Sequence, residues 1–379
     1  MNVRHDQFEH LTTDADFPAA EDLPPVRELP DPFLRPDGKR VTSPREWKSL
    51  REHWLKLVLH YEYGELPPPP RGVRAETVAE TDLSDLKAVR TEYRLHIESP
   101  VPLSTRLLLF RPRWRGKMPV IVDGDLGWGE PTGEIVREVL QRHYVLAFFD
   151  RTQIAPDSAE RKGVYEAYPH DEGGRLAAWA WGYHRVIDFL LTQPFIHAKR
   201  IVVTGHSRGG KTALLAGATD ERIALTAPNN SGCGGAGCYR YQAQGSETIA
   251  DILRNIPYWF HPRFAQFIGK VERLPFDQHI VKALVAPRAQ LSTEALADLW
   301  ANPEGTQVTY LAAKEVYRFL GVEQRIGIWF REGGHEHSLA DWQALLDFAD
   351  WQLLNKPPAR AFDRLAFPPR EGMYSWRAP

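Results

Sequence analysis

Cysteine is almost missing from this 379-residue chain: only Cys233 and Cys238 occur, close together in a glycine-rich segment. Two such cysteines make neither a disulfide framework nor a zinc site. An excess of charge of one sign is missing too. Lys and Arg number 47 against 49 Asp and Glu, a formal net charge of −2, so the electrostatic footprint of a nucleic-acid binder is absent. No stretch approaches the ~18 apolar residues of a membrane-spanning helix, so no membrane partner is expected. The N-terminal stretch Met1 to His10 carries no apolar run of the kind that marks a secretory leader. The expected compartment is therefore the cytoplasm as the sequence stands, or the periplasm or exterior if a leader has been removed. There is no internal repeat and no low-complexity domain.

What is present is an ordinary globular balance, 43% hydrophobic and 25% charged, over a length that suits one large α/β domain or two smaller ones. Thirty prolines imply long ordered loops. Twelve tryptophans suit carbohydrate stacking, although tryptophan more often serves the core.

The chain is organised around residues 200–218. Ile201, Val202 and Val203 read as a strand covered on both faces. Gly205-His206-Ser207-Arg208-Gly209 then fits G-x-S-x-G, the turn that raises a nucleophilic serine between strand and helix. Lys211 to Ala216 continues as a helix whose amide-rich N-terminus would face developing negative charge. Five residues with three fixed positions also arise by chance; the strand before and the helix after give this match its weight.

Around it the elements alternate. Residues 1–40 read as an extended arm. Ser43-Pro44-Arg45-Glu46 is a capping box with proline at the first helical position, and Trp47, Leu50, Trp54, Leu57, Val58 and Tyr61 recur at helical spacing to about Tyr63, before Pro67 to Pro70. Strands are expected at 89–98, 103–112, 118–124, 144–150, 223–228, 284–291 and 325–330, with a flexible loop from Asp125. Helices are expected near 133–143, 173–193, 307–320 and 338–354. This pattern predicts an α/β-hydrolase fold, a doubly wound, mostly parallel sheet in a three-layer sandwich. Residues 1–100 are read as an N-terminal arm, helix and leading strands packed on a catalytic domain of residues 101–379.

A serine nucleophile needs a base, and the base an orienting acid. His335 stands on a glycine-rich loop after the last strand and is preferred to His337, because Gly333 and Gly334 let the loop bend back. A surface histidine is the plain alternative. The acid belongs after the preceding strand, where Glu294 and Asp298 are candidates that spacing does not separate. Either could instead cap a helix.

Longer motifs resemble the bacterial branch of carbohydrate esterase family 15, the glucuronoyl esterases. They are Gly205 to Lys211, Asn229 to Gly235, Leu274 to His279, Ala286 to Arg288, Asp298 to Pro303, Gly334-His335 with Asp341-Trp342, and the early Asp31 to Leu34 with the Trp47–Tyr63 helix. The resemblance runs from about residue 30 to 354. It implies hydrolysis of esters between xylan glucuronic acid and lignin alcohols without a cofactor or metal. It further implies Ser207 as nucleophile, His335 as base, Arg208 at the oxyanion, and Lys211, Glu247 and Trp300 at the sugar. A buried ion pair is the plain alternative for Arg208. Fungal members carry the acid as a glutamate near Asn229 and Asn230, so the later site must supply it here; Asp298 fits the family's position, with Glu294 second. His206 stands where fungal members have a cysteine, and a second family carboxylate falls around Asn255. The expected partner is a small-molecule or oligosaccharide ester. Rival readings are an acetyl or other small-ester esterase on the same scaffold, and a non-catalytic carbohydrate-binding protein.

Overall fold

Alternation of strand side chains between two cores explains the architecture. In the computed structural model, which describes residues 17–379, nine strands form one sheet. They are β1 (Val73–Leu83), β2 (Ala88–Ile97), β3 (Leu103–Pro112), β4 (Met118–Asp123), β5 (Val145–Phe149), β6 (Ile196–His206), β7 (Ile223–Asn229), β8 (Ala289–Ala295) and β9 (Ile326–Arg331). Their order is β1-β2-β3-β5-β4-β6-β7-β8-β9. The first three pair antiparallel, β3 meets β5 antiparallel, and β4 to β9 run parallel.

Nine helices accompany the sheet among the described residues: α1 (Pro44–Val58), α2 (Gly133–Gln141), α3 (Val164–Ala167), α4 (Arg175–Leu190), α5 (Arg208–Thr219), α6 (Ile249–Asn255), α7 (Gln278–Val285), α8 (Pro303–Phe319) and α9 (Leu339–Leu354). Val120, Val122, Val145, Ala147, Ile201 and Val203 join the larger core, with α1, α4, α5, α7 and α8. Their neighbours Ile121, Leu146, Phe148 and Val202 join the second core, with α2 and α9. This is the helix–sheet–helix sandwich expected of strands apolar on both faces. Each fully buried aliphatic side chain contributes about 1.5–3 kcal/mol against leaving it in water.

From β4 the chain crosses to β5 on one side and later to β6 on the other. The crevice outside the carboxyl ends of β4 and β6 is therefore a topological switch point, where open α/β sheets place their sites.

The helix from Pro44 is capped as expected, with Ser43 and Glu46 forming a capping box. It passes into a π-helical turn, Leu59–Tyr63, before Gly64 at φ 79°. Of the arm read over 1–40, residues 1–16 lie outside the described residues. Residues 17–40 run along the helices: Trp54 Nε1 donates to Pro32 O at 2.9 Å, and His279 Nε2 lies 2.8 Å from Pro30 O. The boundary expected at residue 100 falls in the turn between β2 and β3, which pair along their whole lengths.

Three local expectations need correction. The strand read at 284–291 is the end of α7, a turn at Ala286-Pro287, and then β8 from Ala289. Leu284-Val285 belongs to a short apolar run that periodicity alone cannot assign, and Asp277, capping Gln278, tips it to helix. Strand β1 was not expected, because it is exposed along almost its whole length and shows no apolar alternation. The segment from Asp125 is an anchored 3₁₀ turn, Leu126–Trp128, rather than a flexible loop.

Candidate active site

The turn after β6 holds Ser207 at φ 55°, ψ −116°, a conformation that costs a non-glycine residue free energy and needs neighbours that enforce it. Close packing enforces it here. A Cβ on Gly205 would lie 2.6 Å from the Gly209 carbonyl, and one on Gly210 would lie 2.8 Å from Asn229 O. The Ser207 amide donates to Asn229 O at 2.9 Å.

Asp125, just past β4, ties the turn down from the other side. One carboxylate oxygen accepts the His206 amide at 2.8 Å; the other pairs with Arg151. The Arg151 guanidinium is 1% exposed and also donates to Gly124 O at 3.0 Å. Burial pushes it down to about 10. Beneath it lies Asp123, whose carboxyl burial pushes up to about 8, with Arg151 pulling the other way.

The histidine loop is fixed by Arg331, at the end of β9. Its guanidinium donates to Asp341 Oδ2 at 2.7 Å, to Glu336 O at 2.6 Å and to Gly334 O at 3.2 Å. Asn230 adds a bond to Glu336 O at 3.1 Å while its carbonyl accepts the Ala295 amide at 2.7 Å. On this loop His335 Nδ1 lies 2.6 Å from Asp298 Oδ2. The Asp298 side chain is 4% exposed and that of His335 43%. A carboxylate can only accept from Nδ1–H, which leaves Nε2 with the lone pair a base needs.

His206 joins the two halves. Its ring lies 4.5 Å from that of His335 and 5.9 Å from that of His337, which in turn stacks on Trp342 at 5.0 Å. His206 Nδ1 meets Asn229 Oδ1 at 2.6 Å, and Asn229 Nδ2 donates to Thr293 Oγ1 at 2.9 Å. Burial pushes the His206 imidazole down to about 4. His337, the alternative to His335, is likewise held neutral by burial and faces Trp342.

Glu294 is not past the strand end, as its position next to a strand over 284–291 implied; it lies inside β8. Both its carboxylate oxygens are buried without a hydrogen-bond partner. Burial holds the carboxyl well above the usual range, with Lys282 as the nearby counter-charge. The carboxylate on His335 is that of Asp298.

Arg208 pairs with Asp157, whose other oxygen accepts Trp259 Nε1 at 2.7 Å. Its guanidinium lies 5.2 Å from the Trp128 ring and 5.0 Å from that of Trp259, and remains partly exposed. Lys211 is 4% exposed, donates to Ser231 O at 2.6 Å and stands 4.0 Å from Glu247. Burial lowers the lysine and raises the glutamate, and each opposes the other's shift. The Glu247 amide donates to Trp300 O at 3.1 Å, and the Trp300 side chain is 49% exposed. Asn255 ends α6 and faces solvent.

Sequence reasoning missed Asp125, Arg151, Asp157 and Trp259. The only signal for Asp125 was an acid directly after a buried strand. Asp157 sits in irregular chain and gave none.

A family model described as glucuronyl esterase of fungi matches residues 113–321. A 4-O-methyl-glucuronoyl methylesterase of Schizophyllum commune is 32% identical, over 90% of this chain and 86% of its own. A glucuronoyl esterase of carbohydrate esterase family 15 from Caldicellulosiruptor kristjansonii superposes with TM-score 0.81 at 31% identity, covering 95% of this chain and 99% of that one. A serine-to-alanine mutant of the glucuronoyl esterase of Sporotrichum thermophile, solved with methyl 4-O-methyl-β-D-glucopyranuronate, superposes with TM-score 0.74 at 27% identity, covering 90% and 92%.

Proposed function

The chain belongs to the glucuronoyl esterases of carbohydrate esterase family 15, and from that premise we propose that it hydrolyses 4-O-methyl-glucuronoyl esters through Ser207, His335 and Asp298. It is a carboxylic ester hydrolase with an α/β-hydrolase fold. Among the described residues, no helix is long and apolar enough to cross a membrane. The observation that carries the residue assignment is the 2.6 Å contact of His335 with Asp298, on a loop whose histidine packs against the residue preceding the strained Ser207.

In the reaction Ser207 Oγ attacks the ester carbonyl carbon while His335 Nε2 takes the hydroxyl proton. The carbonyl oxygen becomes an oxyanion. Arg208, always protonated and directly after the serine, supplies donors to it; Asp157, Trp128 and Trp259 fix the guanidinium. The bond to the alcohol oxygen breaks and His335 returns the proton to it. Water, deprotonated by His335, then attacks the acyl-enzyme and Ser207 leaves with the proton. Asp298 holds the imidazole. Lys211, Glu247 and Trp300 bind the sugar: the buried lysine and carboxylate present a donor and an acceptor to hydroxyls, and the exposed indole offers a stacking face.

The test is kcat/KM on a methyl glucuronate ester and on an aryl acetate, for the wild type and Ser207→Ala. The expected result is preference for the glucuronate and a loss of at least about 10³-fold in kcat in the variant. Preference for the acetate would make this a small-ester esterase, and a near-wild-type rate in Ser207→Ala would remove serine chemistry.

A further inference from the structure

At the end of the sheet opposite Ser207, two short segments bring cations together without counter-charges. The Met118 amide donates to Phe195 O at 2.7 Å, and Met118 pairs with Ile196 where β4 meets β6. This register sets Lys117 beside His197, with Lys199 and Arg200 following. Partial burial, and then the charges of Arg200, Lys117 and Lys199, push the His197 imidazole down. Among the described residues none of these three cations forms an ion pair. The acids of the adjoining elements are already taken. Asp82 pairs with Arg113, Glu138 with Arg142, Asp347 with Arg142 and Arg360, and Asp350 with Lys356.

An exposed indole stands beside these cations. Trp114, in the loop that leads to Lys117, is 54% exposed although its ring lies 4.0 Å from that of His143. His143 has φ 61°, in the region where helices usually end on glycine and a β-carbon is disfavoured. The loop itself is held, since the Arg113 amide donates to Lys87 O at 2.7 Å. Arg200 reaches the same corner: burial raises the hydroxyl of Tyr144, the residue after His143, and Arg200 opposes that rise. Ser207 follows the far end of β6, so the surface lies roughly 30 Å from it at about 3.3 Å per residue.

A ligand for this surface carries spaced anionic groups on a body that can lie against an indole. Dense polyphosphate suits it poorly. Duplex DNA presents one charge per ~1.7 Å, whereas these cations sit among carboxylates on a chain of net charge −2. Uronate groups along a polysaccharide have the required chemistry, and hydrolysis of a glucuronoyl ester leaves a free carboxylate on the polymer. We infer that Lys117, Lys199, Arg200 and Trp114 form a second, non-catalytic site for a polysaccharide bearing free uronate groups. It would hold the enzyme on polymer whose neighbouring esters have already been cut. This rests on the glucuronoyl esterase reading above.

The experiment measures retardation of the Ser207→Ala protein in gels containing glucuronoxylan, or the same polymer with its uronate carboxyls reduced to alcohols. Glucuronoxylan is expected to retard the protein and the reduced polymer to leave it free. Lys117→Gln combined with Lys199→Gln should weaken binding about 3- to 10-fold, the scale of two exposed ion contacts, and added salt should weaken it further. Trp114→Ala should also weaken it. With Ser207 restored, the double variant should keep kcat/KM on a methyl glucuronate ester within about twofold, because that small uncharged substrate meets only the Ser207 site. Equal retardation by the two polymers, or unchanged binding in either variant, would overturn the assignment. So would a parallel loss of the small-ester rate, which marks damage to the fold, or tighter binding to a DNA duplex than to glucuronoxylan. A wild type inactive on the methyl ester yet retarded through Lys117 and Lys199 would overturn the esterase reading and leave this site standing.

Discussion

Two regions of the molecule are rich in charged residues and use them differently. On the flank formed by β1, β2 and β3, Arg106 pairs with Glu92 at 2.7 Å, Arg90 with Glu130 at 2.9 Å and Arg113 with Asp82 at 3.0 Å, all with access to water. At the carboxyl ends of β4 to β9, the Asp298, Asp341 and Arg331 side chains are nearly sealed, and each has a partner. Water can replace a lost partner on the flank, so an exposed pair there is worth only about 0–1 kcal/mol. At the rim it cannot. Removing a partner leaves a buried polar group unsatisfied, at about 1–3 kcal/mol or more. The flank's charges therefore cover a sheet edge, while the rim's charges fix directions. The fixed directions are what bring a histidine from one loop against the residue that precedes Ser207 on another.

The sharpest way to break this contrast uses two carboxylates a few residues apart. Asp298→Asn should lower kcat/KM on a glucuronate ester by about 10²-fold or more, since it removes the acceptor that holds the His335 tautomer. Glu294→Gln should stay within about threefold, because His335 takes its partner from Asp298 and Glu294 lies sealed inside β8. The reverse pattern would move the acid to β8.

A smaller effect is expected at His206, which orients rather than reacts. His206→Ala removes the ring against His335 and the bond to Asn229. It should cut kcat by about tenfold with little change in KM, the signature of misplacement in the transition state. His206→Gln, which can still reach Asn229, should recover part of the loss. Equal rises in KM would instead make His206 a substrate contact.

The third test is a pH dependence. Burial in the fold pushes the Asp123 carboxyl up from 3.8 to about 8. Between those values the native state holds one more proton than the unfolded state, so stability falls as pH rises. The contribution is whole below the unfolded value and gone once pH has passed through about 8, with a slope of at most about 1.4 kcal/mol per pH unit. Asp123→Asn keeps an oxygen for the Asp125 amide and should flatten this part of the stability–pH curve, measured by denaturant unfolding between pH 4 and 8. Parallel curves for the two proteins would show that Asp123 is ionised in the fold.

The smallest effect belongs to the flank. Arg106→Ala should cost less than about 1 kcal/mol and less still at high salt. A larger loss would erase the difference between the two regions.

The elbow was legible in the sequence because its causes are local: three β-branched residues, two glycines at fixed offsets and a helix former after them. His335 was legible from chain order and its glycines. Asp298 was separable from Glu294 only through the family resemblance, since the end of β8 was misplaced. That error has a physical source: Leu284-Val285 is apolar enough for a strand, and the deciding cap, Asp277, also binds the distant Tyr239 amide. Strand β1 escaped notice because it buries almost nothing. The supports of the site, Asp125 for His206 and Asp157 for Arg208, act across 81 and 51 residues of chain. No window of sequence contains both partners.

The most direct measurement of the central claim is the intact mass and peptide map of the protein after reaction with a fluorophosphonate. The account predicts one adduct, on Ser207, formed much more slowly in His335→Ala and in Asp298→Asn. A folded wild type that stays unlabelled, or that carries the adduct on another residue, would contradict it.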